Sequence, residues 1–179
     1  MTYEKDKDSL DTFARTTAPD LGIPAETCLV EDAPDPCTIV IMGASGDLTE
    51  RKIIPALFRL YVNGATPDPF TIVGCARTDM DDQSFRVKMK KALGEAEEID
   101  SSRLDDFAAF LHYRRIDYGD HVSFESLAAF LHELENRYST KGNRIFYLAI
   151  PPTIYKSTAR ALGEVGLSSG GQDRSPWSR

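Results

Sequence analysis

A glycine-rich turn is the first segment whose residue types and spacing indicate chemistry. The turn Gly43-Ala44-Ser45-Gly46-Asp47-Leu48 follows a short apolar run and precedes a stretch with helical apolar spacing. Glycine lets the backbone turn tightly and approach a pyrophosphate, and the N–H groups at a helix start attract anions. We therefore predict a phosphate-binding turn in which Ser45 donates a hydrogen bond. Two glycines at this spacing are also compatible with a purely structural turn.

Two other functions of a glycine-rich turn fail on spacing. A nucleophile elbow requires glycine two residues after the serine, where this chain has Asp47. A P-loop requires glycine at the sixth position of its motif, and the sixth position here is Leu48. The sequence therefore favours a dinucleotide-binding turn over a nucleophile or a P-loop.

The residues after the next apolar run bear on which dinucleotide is bound. The run 70–75 is predicted to be a buried strand, and Arg77 follows it. At this position an arginine pairs with a 2′-phosphate and favours NADP, whereas a carboxylate accepts from the ribose hydroxyls and favours NAD. Arg77 therefore predicts NADP, and Asp79 leaves NAD use open. The alternative for Arg77 is a solvated surface arginine.

Strands that alternate with helices must position these residues. Apolar, β-branched runs predict strands at 37–42, 70–75, 113–117 and 144–150. Helical apolar spacing predicts helices at 48–61, 85–93, 104–111, 124–138 and 153–162. This order predicts an α/β fold: a Rossmann-like doubly wound parallel sheet that is C-terminally incomplete. Pro55 predicts a kink in the first helix, because proline removes a backbone hydrogen bond.

A short repeated segment also invites interpretation. The pentapeptide Ala-Ala-Phe-Leu-His occurs at 108–112 and again at 128–132. We interpret the two copies as a coincidence between similar amphipathic helices, because they are followed by different predicted structure.

Charge divides the chain of 179 residues unevenly. Residues 1–36 carry nine acidic and three basic side chains, while the whole chain has a formal charge of −7. We predict an acidic N-terminal extension over 1–36, with a helix around 10–13 as the alternative, and a dinucleotide-binding domain over 37–179.

The overall composition excludes several classes of protein. The acidic balance argues against a nucleic-acid groove, and no apolar run is long enough for a membrane span. The polar N-terminus is unlike a secretory signal, and three cysteines without a C-x-x-C spacing favour reduced thiols in the cytoplasm. No metal site is predicted.

Several motifs in order carry a family resemblance. They are Ile41 to Leu48, then Arg51-Lys52-Ile53 with Pro55, then Ile72 to Arg77, then Phe146 to Pro152. In these motifs the chain resembles the NADP-binding domain of the glucose-6-phosphate dehydrogenase family, over about 38–167. The acidic extension lies outside the resemblance.

The resemblance implies a cofactor site and its residues. It assigns Gly43 to Leu48 to the pyrophosphate of NADP and Arg77 to its 2′-phosphate. Asp117 and Tyr118 would lie by the adenosine, and Tyr147 by the nicotinamide. Lys52 matches a family lysine that reaches toward the sugar phosphate of the substrate, glucose 6-phosphate. From the residues alone, Lys52 is equally a solvated helix lysine.

The resemblance also implies what the chain does not do by itself. The family oxidises glucose 6-phosphate to 6-phosphogluconolactone in the pentose phosphate pathway, as a homo-oligomer in its full-length form. Its Glu-Lys-Pro-Phe-Gly turn and its Arg-Ile-Asp-His-Tyr catalytic segment have no counterpart in this sequence. His112, His121 and His132 do not stand in that context, so we predict that the chain of 179 residues lacks turnover. We also expect exposed apolar surface at the strand beside the missing part of the sheet.

A different class of protein is the alternative. A stand-alone NAD(P)-sensing or interaction module would carry a third glycine three residues after Gly46, where this chain has Thr49. Such a module often has Tyr-x-x-x-Lys downstream, and the spacing occurs only upstream, from Tyr3 to Lys7. Both observations favour a dehydrogenase domain over a stand-alone sensing module.

Overall fold

The described residues form a sheet flanked by helices. A computed structural model describes residues 34–96 and 101–168. The strands in this part of the chain are β1 (Cys37–Met42), β2 (Phe70–Ala76), β3 (Leu111–Arg115) and β4 (Arg144–Leu148). The helices are α1 (Ile54–Val62), α2 (Asp82–Ala96), α3 (Ser101–Ala109), α4 (His121–Tyr138) and α5 (Tyr155–Glu164). A π turn (Thr49–Ile53) precedes α1, and a 3₁₀ turn (Pro152–Ile154) precedes α5.

The sheet is parallel and its strand order is β3-β2-β1-β4. Val40 of the central strand β1 stands opposite Val73 of β2 on one side and Phe146 of β4 on the other. From β1 the chain moves outward to β3 and then returns to place β4 on the other side of β1. The ends of β1 and β4 therefore form the switch point at which ligands of open parallel sheets bind.

The core has two halves, one on each face of the sheet. Ile41 and Ile72 pack on one face with Phe85 of α2 and Phe107 of α3. On the other face, strand side chains pack with α4 and α5; they are Val40, Met42, Val73, Cys75, Phe124, Leu127, Leu131 and Leu162. Because every residue of β2 is buried and five of the six in β1 are, these strands require apolar residues at successive positions. The predicted α/β, doubly wound architecture is confirmed.

The third strand begins earlier than the sequence predicts. We expected a helix through Leu111 and a strand at 113–117, but α3 ends at Ala109 and β3 starts at Leu111. The carbonyl of Phe110 accepts from the N–H of Ile72 at 2.9 Å and from Thr71 Oγ1 at 3.1 Å. Pairing with β2 therefore overrides the local helical pattern.

The two copies of Ala-Ala-Phe-Leu-His consequently differ in structure. The copy at 128–132 lies wholly within α4, whereas the copy at 108–112 ends a helix, turns and begins β3. The interpretation that both copies are helical is wrong for the first, and His112 lies on a strand.

The helix after the glycine turn has an irregular backbone near Pro55, where the sequence predicts a kink. The N–H of Ile54 donates to the carbonyl of Thr49, an i to i−5 bond, and Pro55 stands in the first turn of α1. A widened turn before proline accommodates a residue that has no N–H to donate. The irregularity at Pro55 thus takes the form of a π turn, and Pro55 opens α1 rather than interrupting it.

The two edge strands of the sheet differ in how their groups are covered. At the β3 edge, the Tyr113 N–H donates to Asp82 Oδ1 at 2.7 Å, and Arg86 Nε donates to the Leu111 carbonyl at 2.8 Å. At the β4 edge, Ile145 and Tyr147 are 52% and 47% exposed. Side chains from α2 cap the β3 edge, while β4 leaves apolar side chains exposed on one face of the sheet, as the sequence leads us to expect.

Several sequence predictions fall on residues outside the described part. They are the acidic extension, apart from residues 34–36, the alternative helix around 10–13, and the end of the predicted dinucleotide-binding domain, residues 169–179. At the domain boundary, the Pro36 carbonyl accepts from Asn143 Nδ2 at 3.1 Å. Of the helices in the described residues, none combines the length and apolarity that crossing a membrane requires.

Candidate dinucleotide site

The conformation of the turn after β1 requires glycine. Gly43 has φ +92°, and a Cβ placed there would lie 2.2 Å from the Ala149 carbonyl oxygen and 3.1 Å from Ile150 Cγ2. A side chain would therefore fill the narrow space between the end of β1 and the segment after β4. This is the kind of close backbone approach for which a dinucleotide turn uses its glycines.

Hydrogen bonds fix the turn from within. The N–H groups of Gly43 and Ala44 both donate to the Cys75 carbonyl, at 2.7 and 3.0 Å. The Gly46 N–H donates to the Gly43 carbonyl at 3.0 Å, and Thr49 Oγ1 donates to the same oxygen at 3.3 Å. We expected the amides of the turn to face the anion as a group, but these three are already engaged.

The segment after β2 lies beside the glycine turn. Thr78 Oγ1 donates to Ser45 Oγ at 2.9 Å, which joins the two carboxyl-end segments directly. Arg77 is exposed next to Thr78, and its positive charge acts on Tyr118. The structure thus brings Arg77, Ser45 and Tyr118 to one edge of the sheet, although Ser45 is already paired with a neighbour that we did not predict.

Tyr118 lies at the base of the turn. Its hydroxyl donates to the Cys75 carbonyl at 3.3 Å, the same oxygen that accepts from Gly43 and Ala44. Burial raises the pKa of Tyr118 to about 12, so its hydroxyl stays protonated and remains a donor. Asp117 is exposed beside it, and its Oδ1 accepts from the Gly119 N–H at 2.9 Å, which shapes the local loop.

Two of the predicted residues lie on other elements. Tyr147 is inside β4 opposite Ile41, and it is half exposed on the outer part of the sheet face. Lys52 is exposed on the π turn. Ala149 and Ile150, which follow β4, lie close to Gly43 of the turn, and neither is among the predicted site residues.

Acidic side chains at the turn have cationic partners. Asp47 lies 2.8 Å from Arg51 Nε, and Glu50 lies 3.0 Å from Lys88 Nζ. A carboxylate near a pyrophosphate opposes its binding unless a cation neutralises the charge. The first pair is predictable from the sequence, because Asp47 and Arg51 are four residues apart. The second pair is not, because Lys88 lies on α2, far from Glu50 in the sequence.

The histidines lie away from the turn. His112 is buried in β3, with Nδ1 3.0 Å from Asp82 Oδ2 and Nε2 3.1 Å from the Tyr138 hydroxyl. His121 and His132 are exposed on α4. Burial lowers the pKa of His112, so its ring is neutral and serves packing and hydrogen bonding.

The arrangement fits binding of a dinucleotide better than bond-breaking chemistry. It offers a glycine turn at the switch point, an arginine after the neighbouring strand and the hydroxyl of the partly buried Tyr118. In residues 34–96 and 101–168 no three His, Cys, Asp or Glu side chains are grouped as a metal site requires. Together the fold and the turn define the class of Rossmann-type dinucleotide-binding domains.

Comparison with known proteins identifies the family. The family described as "Glucose-6-phosphate dehydrogenase, NAD binding domain" matches residues 40–179, and the chain belongs to this family. The domain is therefore of the type that binds a nicotinamide dinucleotide.

The relatives with similar sequences are glucose-6-phosphate 1-dehydrogenases. The chain is 41% identical over 143 residues to a glucose-6-phosphate 1-dehydrogenase of Aggregatibacter actinomycetemcomitans, covering 80% of this chain and 28% of the relative. It is 39% identical over 147 residues to one from Chlamydia pneumoniae, covering 80% and 29%. The chain thus spans less than a third of the length of these relatives.

A solved structure supports the same relationship. Glucose-6-phosphate dehydrogenase in complex with its substrate glucose-6-phosphate superimposes with a TM-score of 0.69 and 30% identity. The superposition covers 76% of this chain and 29% of that one. The enzyme from Mycobacterium avium, with a TM-score of 0.62 and 23% identity, shares the fold.

Proposed function

We propose that this chain binds NADP⁺ as the N-terminal cofactor-binding part of a glucose-6-phosphate dehydrogenase. The observation that carries the proposal is the glycine turn at the end of β1, with the exposed Arg77 directly after the adjacent strand. Gly43 to Leu48 would face the pyrophosphate, and the Arg77 guanidinium would pair with the 2′-phosphate, which NAD⁺ lacks. Asp117 and Tyr118 would line the adenosine side and Tyr147 the nicotinamide side.

The proposal extends to the reaction of the whole enzyme. That enzyme would pass hydride from glucose 6-phosphate to NADP⁺ and yield 6-phosphogluconolactone, and Lys52 would reach toward the sugar phosphate. The chain of 179 residues would bind cofactor without turnover, since its buried His112 and its exposed helix histidines are not positioned as a base at the turn. We further propose a cytoplasmic setting, with which the buried free thiols of Cys37 and Cys75 agree.

Cofactor titration tests the specificity that Arg77 would confer. Replacing Arg77 with alanine removes a charged hydrogen-bond donor worth about 1.5–3 kcal/mol, so NADP⁺ affinity should fall about ten- to a hundredfold. Affinity for NAD⁺ should stay nearly the same. Isothermal titration calorimetry with both dinucleotides measures the two effects.

The control is Arg160→Ala, which removes the same side chain from α5, where Arg160 pairs with Glu164. It should leave both affinities unchanged. An Arg77→Ala protein that binds NADP⁺ as tightly as the wild type would refute the 2′-phosphate role. Reduction of NADP⁺ by glucose 6-phosphate with the purified chain would refute the claim that the chain lacks turnover.

A further inference from the structure

We infer that Lys88, on α2, is a positioning residue for the glycine turn and thereby for the pyrophosphate of the dinucleotide; this rests on the proposed function. Lys88 Nζ donates to the Ser45 carbonyl at 2.9 Å and lies 3.0 Å from Glu50 Oε2. One ammonium group thus joins α2 to two points of the segment that begins at the turn. Its side chain is one-third exposed, so it lies at the rim of the site.

Close packing under the turn determines where Lys88 lies. A Cβ at Gly74 would meet Phe85 Cζ at 2.6 Å and Ala44 Cβ at 2.8 Å. The bare backbone of Gly74 therefore lets Phe85 of α2 and Ala44 of the turn pack over the same strand position. Lys88 follows Phe85 by three residues and faces the same side of the helix, which brings its amine to Ser45.

The contact with Ser45 has an electrostatic consequence. A carbonyl oxygen carries partial negative charge, so an uncompensated one beside a pyrophosphate repels the ligand. Lys88 engages this oxygen with a charge-assisted hydrogen bond and neutralises Glu50 at the same time. The same peptide group contributes the Gly46 N–H, which donates to the Gly43 carbonyl, so Lys88 also fixes the plane of that peptide.

This role predicts a loss that does not depend on the 2′-phosphate. Because NADP⁺ and NAD⁺ share the pyrophosphate, Lys88→Met should weaken binding of both by a similar factor, about tenfold. Arg77→Ala should instead act on NADP⁺ alone. Lys88→Arg retains the charge and donors and should restore most of the affinity. Titration calorimetry with both dinucleotides, beside urea unfolding, separates lost binding from lost folding.

Two further variants make the test specific. Lys90→Met removes the same charge two residues along α2, where Lys90 pairs with Asp105 of α3, and it should leave both affinities unchanged. Glu50→Gln removes the ion pair but leaves Lys88 bound to Ser45, so affinity should be retained.

The outcomes distinguish this inference from the function on which it rests. Wild-type affinity for both dinucleotides in Lys88→Met overturns the positioning role alone. So does an equal loss in Lys90→Met or Glu50→Gln, because general charge or the ion pair would then explain it. A wild-type chain that binds neither dinucleotide refutes the proposed function and this inference together. If Lys88→Met does not fold, Glu50→Gln and Lys88→Arg decide, since loss of affinity in either overturns the role.

Discussion

At Gly43, backbone conformation and available space exclude a side chain for separate reasons. Its φ of +92° is one that L residues rarely adopt, and a Cβ would penetrate the Ala149 carbonyl oxygen at 2.2 Å. The carbonyl of Gly43 also accepts from the Gly46 N–H and from Thr49 Oγ1, so two of the hydrogen bonds that hold the turn depend on this residue. The smallest possible change at this position should therefore affect both folding and the site.

Alanine at Gly43 should destabilise the domain by at least about 2 kcal/mol, because overpacking and backbone strain add. Cofactor binding should be lost in the folded fraction. Urea denaturation followed by circular dichroism measures the free energy of unfolding.

Gly94→Ala is the matched control for this change. Gly94 lies in α2 with open space at its Cβ position, so alanine there should stabilise the domain by up to about 1 kcal/mol. Equal stability of Gly43→Ala and the wild type would contradict the packing argument.

Among the elements, β3 is bonded by side chains from two helices. Asp82, the first residue of α2, accepts from the Tyr113 N–H and from His112. The ring of His112 in turn contacts the Tyr138 hydroxyl at the end of α4. One carboxylate and one imidazole thus join α2, β3 and α4 at the edge of the sheet.

The buried imidazole of His112 makes stability depend on pH. Burial lowers its pKa below the ordinary 6.5, and the charges of Arg86 and Arg137 act in the same direction, while the Asp82 carboxylate opposes them. The unfolded chain therefore binds a proton that the folded chain does not, so stability decreases as the pH falls through about 6.5. We expect the urea midpoint to drop between pH 8 and pH 5.5 in the wild type.

His112→Gln should show a smaller drop over the same pH range. His121→Gln, which removes an exposed histidine from α4, is the control and should behave as the wild type does. The same drop in His112→Gln as in the wild type would show that other groups dominate the pH dependence.

The strands also show which elements of this fold can be predicted from the sequence. Runs such as Cys37–Met42 predict buried strands well, because burial on both faces demands apolar residues at every position. The start of β3 was not predictable locally, since the same five residues are helical at 128–132. There, pairing of Leu111 with Ile72 decides the outcome, and that partner is distant in the sequence.

On the scale of the whole molecule, the contrast between the two sheet edges predicts association behaviour. Asp82 and Arg86 occupy backbone groups of β3, whereas β4 presents Ile145 and Tyr147 outward. An edge strand that leaves apolar side chains exposed is prone to associate with another chain. We therefore expect the isolated chain to self-associate as its concentration rises.

Ile145→Lys should reduce that self-association, because a lysine on an edge strand disfavours edge-to-edge contact. Sedimentation velocity over a range of concentrations measures it. Val122→Lys adds the same charge at an exposed apolar position on α4 and should have little effect. A wild-type chain that sediments as a monomer at all concentrations would contradict the expectation.

For a related reason, only part of the candidate site could be predicted from the sequence. The glycine turn and Arg77 follow strands that are easy to recognise, so their common edge could be predicted. Thr78, Lys88 and Ala149 reach the turn from three other segments, and only the packed sheet brings them there. Contacts between segments distant in the chain have no local signature.

The approach of Gly43 to Ala149 also links the ligand to the edge of the sheet. The Ala149 N–H donates to the Met42 carbonyl at 2.8 Å, so the segment after β4 rests on the end of β1 where the turn begins. A ligand that stabilises the turn should therefore also stabilise this contact, and by thermodynamic linkage the pairing of the segment after β4 with β1 should favour the ligand. Binding at the turn and pairing of β4 at the edge of the sheet should thus stabilise each other.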